Sequence, residues 1–170
     1  IASETGLWRF EIVSGACRLV VPLEADNPLT RSNDGRADPW GGFWIGTMGK
    51  HAETGAGAIY RFWRGELRRV AEQISISNAI CFAPDRSAAY FADTARQIVW
   101  RQPLDAEGWP DDAATVFRDF TTEGLWPDGA VTDATGALWI AQWGASRVAR
   151  YLPDGRFDRA IAVPAPHVSC

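Results

Sequence analysis

Three short polar strings carry side chains whose types could do chemistry: Arg31-Ser-Asn33-Asp34-Gly35, Ile76-Ser77-Asn78 and Trp126-Pro127-Asp128-Gly129. Carboxylates and amide carbonyls are hard oxygen donors, the kind that calcium, magnesium and manganese take as ligands. A guanidinium such as that of Arg31 offers several donors in a rigid fork, suited to orienting an oxygen-rich molecule. Each string is equally good local chemistry. Asn-Asp-Gly and Pro-Asp-Gly favour turns, and an Asn can bond its own backbone at the start of a strand, so the residues taken singly leave both readings open. Position in the chain separates them. Asn33, Asn78 and Asp128 stand 45 and 50 positions apart, each ahead of an apolar strand, whereas Pro153-Asp154-Gly155 has no counterpart in that series and reads as a turn.

The interval belongs to a repeat that must position these side chains. Asp38-Pro-Trp-Gly-Gly-Phe-Trp-Ile-Gly-Thr47, Pro84-Asp-Arg-Ser-Ala-Ala-Tyr-Phe-Ala-Asp93 and Asp133-Ala-Thr-Gly-Ala-Leu-Trp-Ile-Ala-Gln142 share one form, a polar turn followed by a short strand. Superposing Trp44, Phe91 and Trp139 gives steps of 47 and 48 residues, within reach of the blade lengths of propeller repeats. A second strand follows each, closing on Ile59-Tyr60-Arg61, Val99-Trp100-Arg101 and Val148-Ala149-Arg150, and Leu7-Trp8-Arg9 has the same form. Ser14-Gly15, Arg64-Gly65 and Asp154-Gly155 supply Gly at hairpin turns, where positive φ costs little. Asp111 to Phe120 lacks a helical period and reads as a polar connection leading into a strand, and Ala160 to Cys170 reads as a strand entering a further blade. The expectation is an all-β propeller, of which the chain covers roughly three and a half blades. Equivalent positions of successive blades face one another across the axis, so the three polar strings are expected to share one centre.

Composition narrows the function classes. Lys and Arg number 17 against 21 Asp and Glu, with no basic stripe, which argues against a nucleic-acid partner. No apolar run approaches the length of a membrane-spanning helix. The three cysteines are widely spaced with no CxxC pair, which suits a reducing, cytoplasmic setting and argues against a zinc finger or a redox couple. Nine Trp and 16 Gly against one Met fit aromatic anchors held between Gly-bearing turns.

Taken in order, the strings resemble the gluconolactonase, regucalcin and luciferin-regenerating enzyme family, in its bacterial sugar-lactonase branch. The matching residues are Arg31-Ser-Asn-Asp-Gly35 with Asp38-Pro39 and Gly46-Thr-Met48, then Ser77-Asn78 with Tyr90-Phe-Ala-Asp-Thr94, then Pro127-Asp-Gly129 with Leu138-Trp139 and Trp143-Gly144. The resemblance implies a six-bladed β-propeller with one divalent ion at its axis, residues 1–170 forming the central part of a single domain whose first and last blades are missing. It implies metal-dependent hydrolysis of sugar lactones, with Asn78 and Asp128 as metal ligands, Asp128 also as general base, and Arg31 and Asn33 holding the lactone oxygens. Lys50 and His51, in a Gly49-Lys50-His51 stretch of the same branch, are further candidates for touching a sugar, with a solvated loop as the alternative. The acidic ligand that the family takes from a Glu-Gly-Pro-like string has no counterpart, and Glu4 and Glu24 stand in other contexts. Calcium is the expected ion, with magnesium, manganese or zinc as alternatives. A non-catalytic metal- or ligand-binding propeller and a hydrolase of another ester or phosphoester are the competing readings.

Overall fold

The computed structural model describes residues 1–169; Cys170 lies outside the described residues. The described residues form strands and turns without a helix, so no helix is long and apolar enough to cross a membrane. Strands β1 (Gly6–Phe10) and β2 (Cys17–Pro22) form a two-stranded sheet. Three four-stranded antiparallel sheets follow, each with its strands in chain order. The first holds β3 (Thr30–Ala37), β4 (Phe43–Gly49), β5 (Gly57–Trp63) and β6 (Glu66–Ile74). The second holds β7 (Ser77–Phe82), β8 (Ala88–Asp93), β9 (Ile98–Pro103) and β10 (Thr115–Asp119). The third holds β11 (Trp126–Thr132), β12 (Leu138–Trp143), β13 (Arg147–Tyr151) and β14 (Phe157–Ala162). These are propeller blades, three whole and one represented by two strands, as the repeat predicts.

Side-chain alternation along each strand builds the packing between blades. In the second blade, Ala79, Cys81, Tyr90 and Ala92 face the third blade, meeting Ala130, Leu138, Ile140 and Tyr151. Their neighbours Ile80, Phe82, Ala89 and Phe91 face the first blade, meeting Trp44 and Ile59. Strand β8 is buried on both sides over its whole length, whereas the outermost β14 is exposed throughout. The first strands β3, β7 and β11 lie side by side, and the connection before β10 is irregular, as its polar sequence predicts.

Two readings need correction. Hydrogen bonds span four residues in the turns from Asp38 to Gly42 and from Asp133 to Ala137, but five in the turn from Ala83 to Ala88. The longer second turn shifts the repeat by one, so Tyr90, not Phe91, matches Trp44 and Trp139; these three pair with Arg101, Arg61 and Arg150. At the other end, Ala160 to Ala162 belong to the third blade and not to an entering strand, residues 163–169 carry no strand, and Cys170 lies outside the described residues. Phe157–Ala162 pairs with β13 as the last strand of the third blade, and Pro164 and Pro166 lack the N–H that a continuing ladder needs.

The third-strand arginines clasp the turns away from the polar strings. Asp38 accepts from the Trp40 and Gly42 backbone N–H groups at 2.9 and 2.7 Å and from Arg61 Nε at 2.6 Å. Both charged side chains are wholly buried, and the guanidinium lies 4.4 to 5.7 Å from the rings of Trp109, Trp63 and Trp40. Trp40 in turn bonds Ala106 O of the neighbouring blade. Asp133 and Arg150 repeat the pairing at 2.8 Å with more exposure. Removing one partner of a fully buried pair strands the other charge, so Asp38→Ala is expected to cost about 3–5 kcal/mol in urea unfolding; Asp133→Ala gives a smaller loss, and equal losses would contradict burial as the cause.

Candidate functional site

The three polar strings are not turns. Apart from Ile76, which just precedes β7, they lie inside β3, β7 and β11, at a β-bulge that recurs in each first strand. Ser32 pairs with Thr47 and Gly35 with Ile45; Asn78 pairs with Ala92 and Cys81 with Tyr90; Pro127 pairs with Gln142 and Ala130 with Ile140. In every case the first strand takes three steps where its partner takes two. A bulge bends the strand and re-aims the side chains at the extra residue, here toward the space between the first strands. Ser32, Ser77 and Pro127 pair with the equivalent residues Thr47, Asp93 and Gln142, and Arg36, Cys81 and Val131 pair with Trp44, Tyr90 and Trp139, so Asn33, Asn78 and Asp128 hold the same position at the bulge. The equivalence expected from the spacing holds in the register, and Ala79, next to Asn78, takes a positive φ of 59° at the kink of β7.

Arg31, Asn33, Asp34, Met48, Ile76, Asn78 and Asp128 line one cleft of about 340 Å³. Asn33 Nδ2 donates to Ser77 O at 2.8 Å and to Asn78 Oδ1 at 3.2 Å, joining the first blade to the second. Arg31 Nη1 donates to Ser32 O and Asn33 Oδ1 at 2.9 and 3.0 Å. Beneath the cleft, Arg36 reaches from β3 to Ile80 O at 2.7 Å and Ala130 O at 3.2 Å, tying three first strands together.

The electrostatics are those of a site short of positive charge. Burial pushes the Asp34 carboxyl above its ordinary range, opposed by the Ile80 N–H bonded to it at 2.8 Å and by the charge of Arg36. Burial likewise raises the Asp128 carboxyl; the Gly129 N–H pulls it down and the Asp34 charge adds to the rise. Neither carboxylate belongs to any ion pair among the described residues. Two oxygen donors, the Asp128 carboxylate and the Asn78 amide, fit a hard divalent cation. No group of three or more Asp, Glu, His or Cys able to hold a metal occurs among the described residues.

Lys50 and His51 stand apart from this cleft. Lys50 Nζ pairs with Glu4 at 2.9 Å in a separate groove with Asp26 and Asn27, and His51 is exposed in the turn after β4, where its backbone N–H bonds Glu53. Glu24 is also elsewhere, its carboxylate accepting from Thr30, Thr47 and Tyr60. Asp34, Met48 and Ile76 were not singled out by sequence reasoning; the Asn-Asp-Gly string contained the signal for Asp34, but a turn reading hid it.

Residues 1–170 match the family profile described as the SMP-30/Gluconolactonase/LRE-like region. The chain belongs to this family. It is 38% identical to the L-arabinolactonase of Azospirillum brasilense, over 98% of this chain and 56% of that protein. It is also 38% identical to the 6-deoxy-6-sulfogluconolactonase of Pseudomonas putida, over 82% of this chain and 50% of that protein. Among solved structures it resembles regucalcin of Agrobacterium tumefaciens, described as a calcium-binding protein, with 45% identity and a TM-score of 0.96 over 100% of this chain and 58% of that one. This member of the family thus spans a little over half the length of such relatives.

Asp34 and Asp128 are coupled through their charge, which yields a direct check. Asp34→Asn is expected to lower the Asp128 pKa, read from its carboxyl carbon by NMR across a pH titration; an unchanged or raised value would contradict the coupling.

Proposed function

We propose that this chain carries the core of a centre that hydrolyses sugar lactones with one divalent cation, calcium first and magnesium, manganese or zinc as alternatives. The observation that carries the reading is the convergence of Asn78 and Asp128 on one cleft in which Asp128 has no counter-cation. The names of the related lactonases and of the calcium-binding neighbour support the substrate class and the ion. When bound between Asn78 and Asp128, the ion would supply positive charge that polarises the lactone carbonyl.

The remaining steps fall to side chains. Asp128 takes a proton from the attacking water as the new C–O bond forms at the carbonyl carbon. When the ring C–O bond breaks, that proton passes to the departing ring oxygen, leaving the open-chain hydroxy acid. A carboxyl raised by burial is a stronger base than an exposed one, which favours this role, although an adjacent cation draws it back down. Arg31 commits Nη1 to Ser32 and Asn33, leaving the rest of its fork for lactone oxygens. Asn33 spends its amide protons on Ser77 and Asn78, so its contribution to the substrate runs mainly through holding Arg31. Lys50 and His51 are left without a part in this centre by their separation from it. A cytoplasmic setting goes with the reading, as the wide spacing of the three cysteines suggests.

The test is a pH-indicator assay of full-length protein on glucono-, galactono- and xylonolactone, first with chelator and then with calcium, manganese or zinc. Turnover restored by metal and reduced about 100-fold or more by Asp128→Ala is expected. Cation binding without turnover of any lactone would instead favour the non-catalytic binding propeller.

A further inference from the structure

The polar groups of the cleft belong to a chain of hydrogen bonds whose direction is forced at both ends. Arg31 Nη1 donates to Asn33 Oδ1 at 3.0 Å, Asn33 Nδ2 to Asn78 Oδ1 at 3.2 Å, Asn78 Nδ2 to Thr94 Oγ1 at 2.9 Å, and Thr94 Oγ1 to Pro127 O at 2.5 Å. A guanidinium can only donate and a backbone carbonyl can only accept. Thr94 has one proton, and the Pro127 carbonyl takes it. Toward Asn78 the hydroxyl must therefore accept, and the group that Asn78 presents to it must be the NH2. The same bookkeeping fixes Asn33, because Ser77 O, at 2.8 Å, demands a donor. No choice of amide flip remains anywhere in the chain.

We infer that Thr94 is a positioning residue: it holds the Asn78 amide by its NH2, so that the carbonyl oxygen and not the nitrogen is turned toward the cleft, and it ties that amide to the backbone beside Asp128. Thr94 and Asn78 are both buried, which strengthens such bonds and makes their loss costly. Thr94 follows β8 in the second blade while Pro127 lies in β11 of the third, so one hydroxyl sets the spacing between the two candidate cation ligands. The inference rests on the proposed cation site for its consequence, but the orientation itself stands independently. Outer groups that orient ligands typically change metal affinity by about 10–100-fold when removed.

The experiment uses the full-length protein labelled with 15N, together with Thr94→Val, which keeps the shape and loses the hydroxyl, and Thr94→Ser, which keeps the hydroxyl. In the wild type, the Asn78 side-chain NH2 protons are expected to exchange slowly with water and to show nuclear Overhauser contacts to Thr94. Contacts from that NH2 to Asn33 instead would overturn the inference without any variant being needed, even if Thr94→Val fails to fold. Calorimetric titration with calcium chloride is then expected to show affinity falling about 10–100-fold in Thr94→Val and recovering in Thr94→Ser. Equal affinity in wild type and Thr94→Val would overturn the positioning role. A wild type that shows the Thr94 contacts but binds neither calcium nor manganese would support the orientation and sink the cation reading, so the two failures are distinguishable.

Discussion

Side chains reach the centre of this fold because β3, β7 and β11 each carry one residue more than the strand beside them, at the same step of the ladder. In a regular strand, alternate residues point to opposite faces of the sheet, and in a propeller both faces are committed to packing against neighbouring blades. A first strand without a bulge would have no face left for a polar centre. The extra residue creates that third direction, and it turns Asn33, Asn78 and Asp128 onto one cleft while Ile80, Cys81 and Ala130 stay in the apolar layers on either side.

The polar centre is costly to hold, and the surrounding backbone meets the cost with hydrogen bonds. Arg36 and Asp34 both bond the backbone of Ile80, and Arg36 continues to Ala130. Asn33 bonds Ser77 O, so every first strand is joined to the next through side chains as well as through apolar contacts. What these bonds leave uncompensated is negative charge: both cleft carboxyls are raised by burial. Desolvated carboxylates without a partner favour protonation or a cation, and a site built of oxygen donors selects the second outcome when a hard ion is available.

Much of the fold was legible in the sequence because its repeat is written in residues that act locally: the turn Asp, the buried aromatic two strands in, and the Arg that closes each third strand. Those features gave the blades, their number and the hairpin turns at Arg64-Gly65 and Asp154-Gly155. What escaped was register. A bulge is defined by pairing between strands, so Asn-Asp-Gly and Pro-Asp-Gly read as turns when seen singly, and the one-residue longer turn after Phe82 moved the apparent match from Tyr90 to Phe91. The cleft residues Arg31, Asn33, Asn78 and Asp128 were found from spacing and resemblance together, whereas Lys50 and His51 followed from sequence adjacency to β4, which the turn after Gly49 carries away toward Glu4 and Glu53. Thr94 and Asp34 lay within quoted strings, but their roles depend on contacts made across blades.

The claim on which the account rests is that these bulges assemble a cation site from Asn78 and Asp128. A crystal of the full-length protein soaked in manganese tests it most directly through anomalous scattering. The account predicts one strong peak in the cleft, at about 2.0–2.6 Å from an Asp128 carboxylate oxygen and from Asn78 Oδ1, within the range of hard-cation ligand distances. A peak seated elsewhere, or a cleft without one at saturating manganese, would contradict it.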